Sequence, residues 1–162
     1  KYECECSTST CAAMDEVCVG GTFDRVHAGH RLLLASTAAV CRKIVYMGIT
    51  GEALLAKKRH RELLEPFEAR QAAAVGFIRA VNPDLQVAVG TLDDVTRAPM
   101  PREFFIIQHQ VAAGVLDDKP PLAMTSASLE GIVVSRETVA GAESINRERK
   151  GQGFRPLAVI TV

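Results

Sequence analysis

The sequence carries no net charge: nineteen lysines and arginines balance nineteen aspartates and glutamates over 162 residues. A chain so balanced projects no general field toward nucleic acid or an acidic membrane, so anion binding has to come from locally placed groups. That favours a small phosphorylated ligand over a polymer. Long apolar runs are missing as well. No stretch approaches the ~20 apolar residues of a membrane span, and the opening residues lack the basic-then-apolar layout of a secretory signal. The five cysteines, Cys4, Cys6, Cys11, Cys18 and Cys41, form no CxxC pair and no set with zinc-finger spacing. Cys18 and Cys41 sit in apolar runs, as small core residues do, which predicts free thiols and a reducing, intracellular compartment. There is no internal repeat. The chain starts at Lys1 rather than Met, which predicts a fragment, a processed form or a trimmed chain.

What is present is the composition of one globular domain, 48% hydrophobic and 23% charged. A chain of this length buries roughly two-thirds of its unfolded surface. Residues 1–15 are polar and aperiodic and read as a flexible tail ahead of a domain over 16–162. Val17–Val19 reads as a first buried strand, and Gly29–Val40 as a helix apolar on most sides, closed by Arg42 and Lys43. Ile44–Ile49 reads as a second strand, ended by Thr50-Gly51. A short helix over 52–57 leads into Lys57-Lys58-Arg59-His60-Arg61, the one dense cationic run. Pro66 suits the start of a helix with Phe67, Ala74, Phe77, Ile78 and Val81 at helical spacing, which Asn82-Pro83 stops. Leu85, Val87 and Val89 alternate as a third strand. Prolines bracket a helix expected over 102–115. Ile132–Val134 reads as a fourth strand, Thr138 as the cap of a helix over 139–150, and 157–162 as a fifth strand. Strands alternating with helices predict a Rossmann-like α/β domain, a doubly wound parallel sheet of about five strands.

The chemistry concentrates in Val17-Cys18-Val19-Gly20-Gly21-Thr22-Phe23-Asp24-Arg25-Val26-His27-Ala28-Gly29-His30. Gly20 and Gly21 let the backbone approach a bulky anion without a Cβ in the way. The helix that follows aims its unpaired N–H groups and positive dipole end at the same place. His27 and His30, three apart, share a face if both lie in the first turn. Taken singly, a glycine pair is a turn and a histidine a surface residue. Strand, glycine turn, helix start and two imidazoles in succession make a phosphate pocket.

The whole string resembles the GTFDxxHxGH signature of the HxGH nucleotidyltransferase superfamily. Two further blocks are similar to phosphopantetheine adenylyltransferases of the archaeal and eukaryotic type: Glu62-Leu63-Leu64-Glu65-Pro66-Phe67-x-x-Arg70, and Ile132-Val133-Val134-Ser135-Arg136-Glu137-Thr138-x-x-Gly141-Ala142-x-x-Ile145-Asn146-x-x-Arg149. The resemblance implies transfer of the adenylyl group of ATP to 4′-phosphopantetheine, giving dephospho-coenzyme A and pyrophosphate, with Mg²⁺ on the leaving phosphates. A phosphomonoester is already a nucleophile, so the protein's task is to align two polyanions and neutralise the α-phosphate as it becomes pentacovalent. By the resemblance His30 stabilises that group, Thr22 places the attacking phosphate, and Lys58 holds the phosphopantetheine phosphate. Gly20, Gly21, Phe23, His27, Gly29, Lys57, Ser135, Glu137, Thr138, Asn146 and Arg149 are carried over as nucleotide-side or phosphate-side contacts. No protein metal ligand is implied.

The resemblance breaks over about 93–129, read as an insertion, and the serine-containing segment that follows the last strand in the family is absent after Val162. In eukaryotes such a domain is often joined to a dephospho-coenzyme A kinase, so a fused partner is expected, with a cytoplasmic location and no organelle excluded. Two rival readings differ in class. Cytidylyltransferases of the superfamily share the first motif but carry an RTxGISTT block that this sequence lacks. A non-catalytic module binding ATP or coenzyme A would not need His27, Gly29 and His30 together.

Overall fold

Short Val- and Ile-rich runs become the strands of one sheet, and three of those strands carry a glycine in register toward their carboxyl ends, Gly20, Gly48 and Gly90. A computed structural model describes residues 13–56, 60–92, 105–106 and 122–162. The strands are β1 (Met14–Gly21), β2 (Cys41–Thr50), β3 (Gln86–Leu92), β4 (Phe105–Ile106), β5 (Gly131–Val134) and β6 (Ala158–Thr161). The helices are α1 (Ala28–Val40), α2 (Glu52–Leu55), α3 (Phe67–Val81), α4 (Leu122–Thr125) and α5 (Val139–Gly151). Strand order is β4-β3-β2-β1-β5-β6. All neighbours are parallel except the two-residue β4, which pairs antiparallel to β3 at the edge. β1 therefore lies between β2 and β5, and the winding reverses there. In an open α/β sheet that reversal opens a crevice at the carboxyl ends of the two central strands.

Side-chain alternation divides the interior into two cores. Val17, Val19, Val45, Met47, Ile49, Val87, Val89 and Val133 point to one face, against Leu33, Leu34 and Ala38 of α1 and Ala74, Val75 and Ile78 of α3. Cys18, Ile132 and Val134 point to the other, against Ala142 of α5, Ala123 of α4, Leu129 and Leu157. Strands with apolar residues toward both faces are what a sheet covered by helices on both sides requires. The doubly wound parallel arrangement expected from the sequence is the one found.

Several elements differ from the sequence reading, each because of tertiary contacts. β1 begins at Met14, inside the expected tail, because Met14 already pairs with Cys41. α1 buries only Leu33, Leu34, Thr37 and Ala38, and Leu32 is 57% exposed, since one face alone meets the sheet. Arg42 and Lys43 do not close that helix. They lie in β2 and pair with Asp15 at 3.0 and 2.6 Å. In α3 the buried set includes Arg70, whereas Val81 is 46% exposed. Within the helix expected over 102–115, Phe105–Ile106 is extended, because the edge of β3 offers it a ladder; the rest of that helix lies outside the described residues. Ala123 and Leu129, in the stretch read as an insertion, are buried core residues.

Candidate active site

The turn after β1 is built around Phe23. Its ring is fully buried, and its backbone is left-handed at φ 53°. That conformation costs a bulky residue roughly 1–2 kcal/mol, against about 1.5–3 kcal/mol gained by burying the ring. The ring explains Gly21: a Cβ there would stand 3.0 Å from Cζ of Phe23. The same ring leans on His30, centroids 5.4 Å apart and planes at 58°. Phe23 therefore supports the site from below through its side chain, which leaves only its backbone to meet a ligand. Arg25, also left-handed at φ 41°, completes the turn.

The spacing of His27, Gly29 and His30 then follows from helix capping. His27 is the N-cap of α1, and its Nδ1 accepts the Gly29 N–H at 3.1 Å. A Cβ on residue 29 would come 3.1 Å from Cε1 of His27, so glycine there lets the ring fold back over the first turn. His30, one turn along, lies under that ring with centroids 3.9 Å apart. With Nδ1 accepting, the neutral His27 ring carries its proton on Nε2, a tautomer assigned from the hydrogen bond. Two imidazoles thus stand at the positive end of a thirteen-residue helix, at the carboxyl edge of β1.

Beside them Thr22 and Thr50 continue the β1–β2 register past its last pair, Gly21 with Ile49. Their hydroxyls are 3.4 Å apart. One strand-width of sheet surface here is stripped of side chains. Gly20, Gly48 and Gly90 are in register across β1, β2 and β3, and Leu92 lies over the first two. The turn is tied to the segment before α3 by a reciprocal pair of carboxylates. Asp24 Oδ1 accepts the Glu65 N–H at 2.8 Å, and Glu65 Oε2 accepts the Arg25 N–H at 2.8 Å. Arg70, fully buried, donates to the carbonyls of Thr22, Thr50 and Glu65 at 2.9, 2.9 and 3.0 Å. Thr50, Asp24 and Glu65 had no place in the sequence reading of the site. The block Glu62–Arg70 is the signal that points to Glu65, and the GTFDxxHxGH string the one that points to Asp24. Lys57 and Lys58 lie outside the described residues; the clamp sets where the chain that follows them meets the turn.

On the other side of β1, Ser135 follows β5, and a 3-10 turn over Arg136–Thr138 leads into α5. Because Val19 pairs with Val133, this junction is adjacent to the His27–His30 turn. Glu137 is exposed there. Thr138 stands at the N-cap of α5 as expected but makes no side-chain cap bond: its hydroxyl donates back to the Ser135 carbonyl at 3.1 Å, across the 3-10 turn. Two residues of this block have their polar groups engaged within the fold. Asn146 spends its amide on Leu157, donating to its carbonyl at 3.0 Å and accepting its N–H at 2.7 Å. Arg149 is fully buried, donating to the carbonyls of Arg155, Ala123 and Ser126. Both hold α5 to its surroundings, and their helical spacing put them on the inner face.

A recess of about 380 Å³ lies between α2 and the 61–66 segment, lined by Glu52, Leu55, Arg61, Glu62, Leu64, Glu65 and Pro66. Its lining carries three carboxylates and one cation among the described residues. Among the described residues no three His, Cys, Asp or Glu side chains converge on a common metal position.

Residues 18–155 match the family described as cytidylyltransferase-like. The chain belongs to the cytidylyltransferase-like family. Within it the chain stands with the phosphopantetheine adenylyltransferases. One from Thermococcus kodakarensis is 35% identical over 147 residues, covering 91% of this chain and 73% of that protein. One from Saccharomyces cerevisiae is 35% identical over 144 residues, but the chain spans only 39% of that protein's length. One from Methanothermobacter thermautotrophicus is 34% identical over 146 residues. A crystal structure of an Archaeoglobus fulgidus protein of unknown function superposes with a TM-score of 0.63 at 19% identity, covering 91% of this chain and 88% of that one. At that identity the likeness is one of fold. Membership makes the protein a nucleotidyltransferase. Among the described residues no helix is long and apolar enough to cross a membrane.

Proposed function

We propose that this chain joins the adenylyl group of ATP to 4′-phosphopantetheine, forming dephospho-coenzyme A and pyrophosphate. The observation that carries this reading is the capped turn, in which Gly29 lets His27 fold back onto His30 at the start of α1. That arrangement presents imidazole N–H donors and a helix N-terminus to one anionic group. A terminal phosphate oxygen of phosphopantetheine attacks the α-phosphorus of ATP. The new P–O bond forms as the α–β bridging bond breaks, and pyrophosphate departs with that electron pair. His30 and the N-terminus of α1 stabilise the charge that gathers on the equatorial α-phosphate oxygens. Thr22, beside Thr50, orients the incoming phosphate, and the Lys57–Lys58 pair neutralises it. Ser135 and Glu137, across β1, contribute to the nucleotide side.

The donor set suits a magnesium ion carried by the triphosphate and its waters rather than caged by protein side chains. Bound there, Mg²⁺ would neutralise charge on the departing phosphates. The longer relatives make a fused partner domain, such as a dephospho-coenzyme A kinase, part of the proposal, with a cytoplasmic location. The test is pyrophosphate release with ATP, Mg²⁺ and 4′-phosphopantetheine, run beside CTP with phosphoethanolamine. Release in the first arm alone supports the reading. Release in the second alone moves the protein to the cytidylyltransferases, and silence in both favours a nucleotide-binding module.

A further inference from the structure

Arg70 is the fully buried cation beneath the site, and its contacts are all backbone carbonyls. Nη1 takes two of them, from Thr22 and Thr50, where the β1–β2 ladder has run out and no strand remains to satisfy them. Nε takes the third, from Glu65, at the foot of α3. Nη2 is buried with no hydrogen-bond partner among the described residues. The guanidinium also lies 5.6 Å from the centroid of the Phe67 ring. A permanently charged group held this way, with no carboxylate against it among the described residues, is a costly choice where an apolar side chain would fill the same volume. What an apolar residue would not do is tie the ends of β1 and β2 to the segment before α3 through three backbone carbonyls at once. Those segments carry the threonine pair and, through Glu65, the clamp onto the Arg25 amide.

We propose that Arg70 is a positioning residue for the transfer: its planar fork holds Thr22, Thr50 and the Glu65 segment as one rigid rim, without touching either substrate. This rests on the adenylyl-transfer reading above. Rim spacing decides how close two bound polyanions come, so its loss is felt in the alignment of the reacting atoms more than in binding. Lysine keeps the charge but loses the fork, which separates geometry from electrostatics.

The experiment is steady-state kinetics of Arg70→Lys with ATP and 4′-phosphopantetheine, beside amide hydrogen exchange of the same protein. The expected result is a kcat at least tenfold lower, both KM values within threefold, and faster exchange confined to residues 22–25 and 63–66. Glu65→Ala removes the carboxylate half of the clamp, its bond from the Arg25 N–H, at a half-exposed position and does not threaten folding. It should lower kcat at least threefold with the same KM pattern, and it decides the matter if Arg70→Lys does not fold. Parent-like kcat in folded Arg70→Lys, or in Glu65→Ala should Arg70→Lys not fold, overturns the proposal. So does a loss expressed as a rise in KM for one substrate, which would mean direct contact. Should the parent chain show no turnover, the adenylyl-transfer reading fails. The exchange comparison still judges the rim, since unchanged exchange at 22–25 and 63–66 would refute it.

Discussion

His27 lies on His30 with their planes 26° apart, and the contact exists because the Gly29 amide holds the His27 ring through Nδ1. One histidine is thus a helix cap and, on the proposed function, a substrate-facing donor at once. Those two jobs use different nitrogens and can be separated. His27→Asn keeps a side-chain acceptor at the N-cap and removes Nε2. His27→Ala removes both, and loss of an N-cap acceptor costs about 1 kcal/mol. Turnover is expected to fall in both variants, while the thermal unfolding midpoint falls only in the alanine variant.

His30→Ala should leave the fold in place, because the ring lies at the surface side of the Phe23 core. Removal of a charge-stabilising donor lowers turnover by roughly 10²–10³-fold. Circular dichroism and ATP titration of the same variant should show native structure and retained nucleotide binding.

Gly48→Ala tests the glycine row. The new Cβ would stand 2.8 Å from Cγ of Leu92, too close for a rotation at the chain end to relieve. Overpacking of this kind costs about 1–3 kcal/mol. Leu92→Ala added to it should recover part of the loss, and denaturant unfolding of both single variants and the double variant measures the coupling.

Asn146→Ala should destabilise the chain by about 1–3 kcal/mol, since it leaves the Leu157 N–H and carbonyl without their partners. The KM for ATP should not change beyond what partial unfolding explains. A selective rise in that KM would restore Asn146 as a ligand group.

Cys18 makes a prediction about pH. Burial in the second core pushes its thiol up from 9.0 to about 12. The unfolded chain therefore releases this proton first as pH rises, so the Cys18 contribution to stability is intact below pH 9.0 and declines toward about 12. In the folded chain at pH 8, alkylation mapped by peptide mass should spare Cys18, and denaturant should expose it. Labelling of Cys18 in the folded protein would contradict its burial.

Much of this protein can be read locally. The run Val17–Val19, the glycine pair and the His27–His30 spacing sit within one strand and one helical turn, where backbone geometry depends on near neighbours. Alternation in β1, β2 and β3 likewise announces a sheet buried on both faces. Residues whose roles depend on distant partners were read less well. Asn146 and Arg149 have polar side chains at motif positions, and only the packing of α5 on Leu157 and α4 turns them inward. Phe105–Ile106 follows the edge of β3 rather than its flanking prolines.

The sequence by itself determined the strand–glycine turn–helix unit and the two imidazoles at its start, because each is a matter of short-range sterics and capping. Tertiary structure alone decided that Asp24 would meet Glu65, that Thr22 would stand beside Thr50, and that Arg70 would be buried under all of them. Those contacts join residues 28 to 48 positions apart. Spacing along the chain does not encode such meetings; they follow from the register of β1 on β2 and the seating of α3 against the sheet.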